Sequence, residues 1–410
     1  MAEASLNTPP VSGLRGARVQ LAAAVLSMAA IAPVQYGWTL FTTPLAELHG
    51  WSLPAIQIAF TCFVVAQTFP QPLDGLLIDK FGPRLGCSIG AVLVGLGMAG
   101  MAASSRLPAL YGSYAVAGLG AGIIYAGTIG TAIRWFPKRR GLALGLVTAG
   151  FGAGAAPVIP IIGSAIDSHG VNATLAWTGV LVGSTVLVAA QVLRHPQSQG
   201  GDPDRGQALG DSGDQGGPVD MEPWKLLATW RFWLIFAMFA FMATGLLYTT
   251  ANTRPAGADW GLTSTVVVIA VTLQQVTNGL SRVVWGWVSD RYGRQATMVV
   301  AFGLNGIFLV LLALVGDTPV MFVLLTALAL FTAGEIFALF PALAADTFGS
   351  RYAAANQGVV YTAKGVASLF GAAAGAWIAV RYGWSLAFAL VGCLALTSSL
   401  GALLLSRRAD

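Results

Sequence analysis

The sequence predicts an all-α membrane protein of twelve spanning helices arranged as two six-helix bundles, and three observations predict it. Of 410 residues, 56% are hydrophobic and 10% charged, too apolar a balance for a soluble domain. Apolar runs of about 20 residues, the length a helix needs to cross the hydrocarbon core, recur about twelve times. A charged glycine turn also occurs twice, with Asp79 and Asp290 lying 211 residues and six spans apart, the pattern of two similar bundles related by an axis along the membrane normal. The alternation of apolar and polar residues that marks a closed β-barrel is absent.

Taken in order, the spans are expected near 19–45, 53–77, 85–104, 108–133, 141–165 and 173–193 in the first bundle. Those of the second are expected near 229–252, 263–288, 295–315, 319–345, 354–379 and 384–405. This divides the chain into a tail (1–18), a bundle (19–194), a linker (195–228), a second bundle (229–405) and a short tail (406–410). The linker, His195 to Glu222 and beyond, is rich in Gly, Pro, Asp and Gln and reads as flexible and cytoplasmic. The first 18 residues are polar and lead into a run too long for a signal peptide's apolar region, so that run is read as the first span.

Orientation follows from the basic residues. Of the 22 Lys and Arg, Arg282 and Lys364 are mid-span, and Arg106, Arg254 and Arg381 fall in loops on one side. The rest lie at the termini or in loops on the other side, which the positive-inside rule makes cytoplasmic, with both termini. The net charge of +5 is spread around helix ends and gives no case for nucleic-acid binding. Cys62, Cys87 and Cys393 sit in predicted helices at unrelated spacings and His49, His169 and His195 in predicted loops, so neither a disulfide framework, a metal site nor a cofactor is expected.

Charges that a bilayer penalises are the best guide to a site. Arg282, Glu335 and Lys364 are each the lone charge of their span. At a rise of about 1.5 Å per residue they lie roughly 12, 17 and 20 Å from Asp290, Asp346 and Arg351, near mid-membrane. They should therefore face a cavity or one another. One alternative is a structural ion pair of Glu335 with Arg282 or Lys364; it would leave one cation unmatched, and an anion would complete the set. The first bundle has no such charge. Its cavity candidates are Gln35, Tyr36, Trp38, Tyr125 and Phe151, with Gln35 and Tyr36 favoured because an amide and a phenol inside a span need polar partners.

The turns "GLLIDKFGPR" (Gly75 to Arg84) and "GWVSDRYGR" (Gly286 to Arg294) resemble the signature of the major facilitator superfamily. Glycine permits the tight turn, and the acid is expected to pair with arginine across a cytoplasmic gate formed by Asp79, Lys80, Arg84, Asp290, Arg291 and Arg294. A second echo relates "RWFPKRRG" (Arg134 to Gly141) to "FGSRYAAANQG" (Phe348 to Gly358). The glycine pairs 118/122, 141/145 and 371/375 are expected at tight helix crossings, and Pro33, Pro44, Pro157, Pro160 and Pro341 at bends.

Within that superfamily the chain resembles the oxalate/formate antiporter family. The likeness is carried by "VQYGWTL" (Val34 to Leu40), "DKFGPR" (Asp79 to Arg84), "RWFPKRRGLALG" (Arg134 to Gly145), "NGLSRVVWGWVSDRYGR" (Asn278 to Arg294), "ALFPALAADTFG" (Ala338 to Gly349) and "AKGVASLFG" (Ala363 to Gly371). The resemblance implies a multi-pass carrier of the bacterial inner membrane in which Arg282 and Lys364 hold substrate carboxylates and Gln35, Tyr36 and Tyr125 line the pocket. Departures from the family pattern fall in that same pocket. Ala333 and Phe337 stand where the oxalate carrier has tryptophan and tyrosine, Tyr361 where it has tryptophan, Phe151 where it has tyrosine, and Glu335 has no charged counterpart.

An ionised Glu335 would bring the three mid-membrane charges to +1 and suit a monocarboxylate; a protonated one would leave +2 and suit a dicarboxylate. Burial and neighbouring cations act on a carboxyl group in opposite senses, so both states stay open. The expected function is secondary transport of small organic anions by alternating access. Two readings stand beside it: proton symport of a monocarboxylate such as lactate or pyruvate with Glu335 as proton carrier, and uptake of a bulkier organic acid or vitamin. No output domain for a sensor is seen in the tails or linker. Walker A, His-Glu-x-x-His, Cys-x-x-Cys and serine-nucleophile motifs are absent, so an enzyme is not expected.

Overall fold

The computed structural model describes residues 14–136, 140–194, 221–349 and 353–407. In the first half the helices are α1 (Leu14–Tyr36), α2 (Trp38–His49), α3 (Leu53–Thr68), α4 (Gln71–Phe81), α5 (Pro83–Ala102), α6 (Leu107–Trp135), α7 (Arg140–Ala153), α8 (Ile159–His169) and α9 (Val171–Ala190). The second half holds a short α10 (Pro223–Leu226), α11 (Trp230–Asp259), α12 (Ser264–Tyr292), α13 (Arg294–Val315), α14 (Pro319–Phe331), α15 (Ile336–Phe348), α16 (Ala353–Ser368), a π-helical segment (Leu369–Ala374), α17 (Gly375–Tyr382) and α18 (Trp384–Arg407). Most of the expected linker lies outside the described residues, as do the ends of both tails, Lys138 and Arg139 of the fourth-span loop, and Arg351 of its echo. The linker's described end is a helical turn whose Met221 N–H donates to the Phe348 carbonyl, so it is fixed to the second half.

Nine stretches among the described residues are long and apolar enough to cross a membrane. Three of the expected spans are not among them, each for a local reason. The second is split into α3 and α4 at Phe69 and Pro70, and the fifth into α7 and α8 around Pro157, because proline lacks the N–H that would continue the ladder. The eighth, α12, is an unbroken helix whose buried face carries Gln274, Gln275, Asn278, Ser281 and Arg282, which lowers its hydropathy.

Other expected spans are interrupted where function concentrates. The first divides at Gly37, where a Cβ would come within 2.6 Å of the Pro33 carbonyl oxygen. The tenth divides at Thr332 to Glu335, and Gly334 there sits so close to α12 that a Cβ would lie 2.5 Å from Asn278 Oδ1. The signature turns share one backbone shape: Gly82 (φ 85°, ψ 157°) and Gly293 (φ 88°, ψ 148°) each end one helix and begin the next. That left-handed extended region is open to glycine and strained for other residues.

The halves meet along α2 and α11, α3 and the π-helical segment with α16, and α7 and α12. Arg254, expected in a loop, instead lies within α11, which runs on to Asp259. The neighbouring Pro255 has no N–H to offer the carbonyl four residues back, that of Ala251, and Gln57 Nε2 from the first half donates to that oxygen at 2.8 Å. Arg254 completes the tie, its N–H donating to Thr39 Oγ1 at 2.8 Å and Nη1 to the Leu40 carbonyl at 2.9 Å. Deeper in, Gly152 of α7 and Gly279 of α12 cross without side chains between them; a Cβ on Gly152 would be 2.8 Å from the Gly279 Cα. Gly118 and Gly122 pack on the α3 backbone and Gly371 on α11, whereas Gly145 has open space where a tight crossing was expected.

Candidate substrate site

Close approach of α7 and α12 lets a side chain on one reach the backbone of the other. Arg282, one turn beyond Gly279, is 3% exposed and donates from Nη1 to the Thr148 carbonyl at 2.8 Å and from Nη2 to the Tyr36 hydroxyl at 3.4 Å. Both partners belong to the first half. Lys364 on α16 is fully buried, and its Nζ donates to Gln67 Oε1 at 2.7 Å and Gln35 Oε1 at 3.3 Å, again in the first half. Phe337 of α15 lies under both cations, 4.7 Å from the Arg282 guanidinium and 5.6 Å from the Lys364 ammonium. An aromatic face attracts cations, so one ring holds both toward one space.

Aromatic rings close the wall in an unbroken series. Tyr36 packs on Phe151 (centroids 5.2 Å apart), Phe151 on Tyr125 (5.9 Å), Tyr125 on Tyr361 (6.1 Å) and Tyr361 on Phe337 (6.0 Å). Arg282, Lys364, Gln35, Tyr36, Tyr125, Phe151, Phe337 and Tyr361, eight of the candidates named from the sequence, are thus joined by direct contacts. Trp38 is not among them: its indole N–H donates to Gln57 Oε1, and its ring stacks on Tyr114, away from the cations.

Glu335 also stands apart. It is fully buried, accepts from Ser281 Oγ at 3.2 Å and pairs with neither Arg282 nor Lys364, so the structural ion pair considered from the sequence does not form. Successive residues on a helix diverge by about 100°. Glu335 meets the Ser281 face of α12, while Arg282 points across to α7.

Gln35 Nε2, Gln67 Nε2 and Arg282 Nε are all buried hydrogen-bond donors without a partner. Buried donors seldom stay orphaned in a native protein. A cluster of them beside two cations is complementary to a ligand rich in acceptor oxygens. Among the described residues no group of three or more His, Cys, Asp or Glu side chains comes together to hold a metal ion.

The Major Facilitator Superfamily family model matches residues 23–254 and 233–410. The chain belongs to that superfamily. The oxalate:formate antiporter of Oxalobacter formigenes is 40% identical over 381 residues, which cover 92% of this chain and 88% of that protein. Monocarboxylate transporter 13 of Bos taurus is 24% identical over 356 residues, covering 84% and 79%. Among solved structures the nucleoside transporter NupG, in a mutant form, aligns with a TM-score of 0.67 at 14% identity, over 94% of this chain and 99% of that one. That last likeness is one of fold alone.

In this facilitator-superfamily chain the described basic side chains of the signature turns make their contacts within one half. Arg84 donates to Gln191 Oε1 at 2.9 Å and Arg294 to Asp346, each within its own half. Lys80 and Arg291 lie over their neighbours Phe81 and Tyr292, and Asp290 is exposed. The Asp79 side chain lies outside the described residues. In this conformation Arg84 and Arg294 therefore brace adjoining elements of one half. Sequence reasoning missed Gln67, although its signal matches that of Gln35: an amide inside the apolar run "CFVVAQTF". It also missed Gln57 and Asn252, which hydrogen-bond across the halves at 3.1 Å.

Proposed function

We propose that the chain is a secondary transporter that exchanges small carboxylates by alternating access of its two halves. In this reading it has twelve spans as two six-helix bundles (19–194 and 229–405), a cytoplasmic linker and cytoplasmic termini, in the bacterial inner membrane. The observation that carries the reading is the donor set: Arg282 and Lys364 face one space with unpartnered Gln35 Nε2, Gln67 Nε2 and Arg282 Nε, and among the described residues no acid pairs with either cation. Arginine would take a carboxylate through its planar fork, and lysine would supply a point charge that can swing. The named activity of the 40%-identical antiporter supports the same class of substrate and the exchange mode.

Alternating access follows from where the bonds lie. Both cations are tethered to neutral acceptors of the opposite half, and a bound anion would exchange those tethers for stronger charge-assisted contacts. Asp79, Lys80, Arg84, Asp290, Arg291 and Arg294 would then form their pairs across the cytoplasmic side in the alternate state. The test is counterflow in proteoliposomes against a panel of C1 to C6 mono- and dicarboxylates. Lys364→Gln is expected to lower exchange by about 100-fold or more while membrane insertion is retained, because a buried charge partner is lost. Near-normal exchange by that variant defeats the proposal.

A further inference from the structure

Beside the donor-lined pocket lies a second cluster of opposite character. At the break between α14 and α15, Gly334 brings the chain against α12 so closely that a Cβ there would be 2.5 Å from Asn278 Oδ1 and 3.1 Å from Ser281 Oγ. Ser281 Oγ also touches Glu335 Oε2. Two of the oxygens gathered here, Glu335 Oε1 and Asn278 Oδ1, are buried acceptors with no donor, and both residues are fully buried. The Asn278 amide nitrogen is turned the other way, donating to Gln275 Oε1 at 3.4 Å. One side of α12 therefore presents Arg282 Nε without an acceptor, and the adjoining side gathers two acceptor oxygens without donors, with the unpartnered Gln275 Nε2 a turn away.

We propose that Glu335, Asn278 and Ser281 form a monovalent-cation site, taking a proton or a sodium ion, that sets the charge of the anion carried next to it. The inference rests on the carboxylate reading for its consequence, but not for the site itself. A carboxylate shut away from water needs a positive partner. The mid-helix ionisable groups of α12 and α16, which pack against α15, are Arg282 on α12 and Tyr361 and Lys364 on α16; Tyr292 lies at the α12 end. Both cations are committed to first-half acceptors. α11 and α13 carry Arg231, Arg254, Asp259 and Arg294 near their ends and Tyr248 mid-helix, and α12 carries Asp290 and Arg291 at its end. None of these pairs with Glu335. A cation at an ionised Glu335 would take the sum of the three buried charges, Arg282, Lys364 and Glu335, from +1 to +2, favouring a dianion over a monoanion.

The test uses wild-type protein, Glu335→Gln and Ser281→Ala in proteoliposomes. Exchange is measured with an imposed proton gradient, and separately with NaCl replaced by choline chloride at equal ionic strength. A several-fold response of the wild type to the proton gradient that Glu335→Gln loses supports a proton site. The same pattern for sodium alone supports a sodium site. Responses to both gradients that are equal in wild type and Glu335→Gln, or absent from wild type, overturn the proposal. If Glu335→Gln does not insert, Ser281→Ala, which keeps the acid and removes its hydroxyl donor, decides by the same criterion. If no carboxylate is exchanged at all, the carboxylate reading has failed. The cation site is then read from thermal stabilisation of the purified wild type by acid or NaCl, and loss of that stabilisation in Glu335→Gln supports the site while its persistence overturns it.

Discussion

Lys364 and Glu335 are both fully buried, both carry the only charge in their stretch of sequence, and they are held in opposite ways. The lysine is solvated by two amide oxygens from the other half of the molecule, whereas the glutamate is met by a serine of its own half. Arg282 behaves like Lys364, with both of its hydrogen-bond partners across the divide. When the halves move, the surroundings of the cations must be rebuilt and those of the acid need not be. The difference separates a site whose energy depends on conformation from one that travels unchanged with its half.

The largest effect that could break this comparison is expected at Arg282. Arg282→Lys keeps the charge but loses the fork that spans Thr148 and Tyr36, and exchange should fall by about 100-fold, measured as initial counterflow rate. A fall of less than about threefold would mean that the bidentate geometry contributes nothing. Gln67→Leu removes the shorter of the two lysine contacts from the first half and leaves the charge in place. An apparent KM raised by about tenfold is expected, in line with the cost of leaving a buried charged donor short of an acceptor. An unchanged KM would show that the Gln67 amide is not read by substrate. The smallest effect is expected at Arg254, whose guanidinium also crosses the divide but ends on the Leu40 carbonyl, away from Phe337 and the cations. Arg254→Gln leaves the main-chain bond to Thr39, and exchange should change by about threefold or less. A loss as deep as that of Arg282→Lys would mean that ties between the halves matter for closure rather than for substrate.

Much of this was legible in the chain itself. An isolated charge in an apolar run must find a partner, so Arg282, Lys364 and Glu335 announced a buried polar region wherever the helices were placed. The repeated glycine turns likewise announced their backbone: Gly82 and Gly293 adopt the same conformation 211 residues apart. Gln67 carried the same signal as Gln35, an amide inside an apolar run, and was passed over beside Pro70 and Gln71. Arg254 was misread for a similar reason. Pro255 looks like a helix terminus, but the carbonyl it frees finds a donor in Gln57 of the other half, and the helix continues.

Sequence alone determined that this chain is a bundle of membrane-crossing helices with a duplicated plan and a small number of charges that lipid will not tolerate. Those conclusions depend on composition, period and spacing, which are properties of the chain read along its length. Which charges share a space was decided only in three dimensions. Glu335 could have neutralised Lys364 or Arg282 by any rule of proximity in sequence. The break at Gly334 and the glycine crossing of α7 and α12 instead turned it toward Ser281 and left both cations to the opposite half. Helix rotation and interruption are set by packing between elements far apart in the chain, and a turn of about 100° per residue is enough to place Arg282 and the Ser281–Glu335 contact on adjoining faces of one helix.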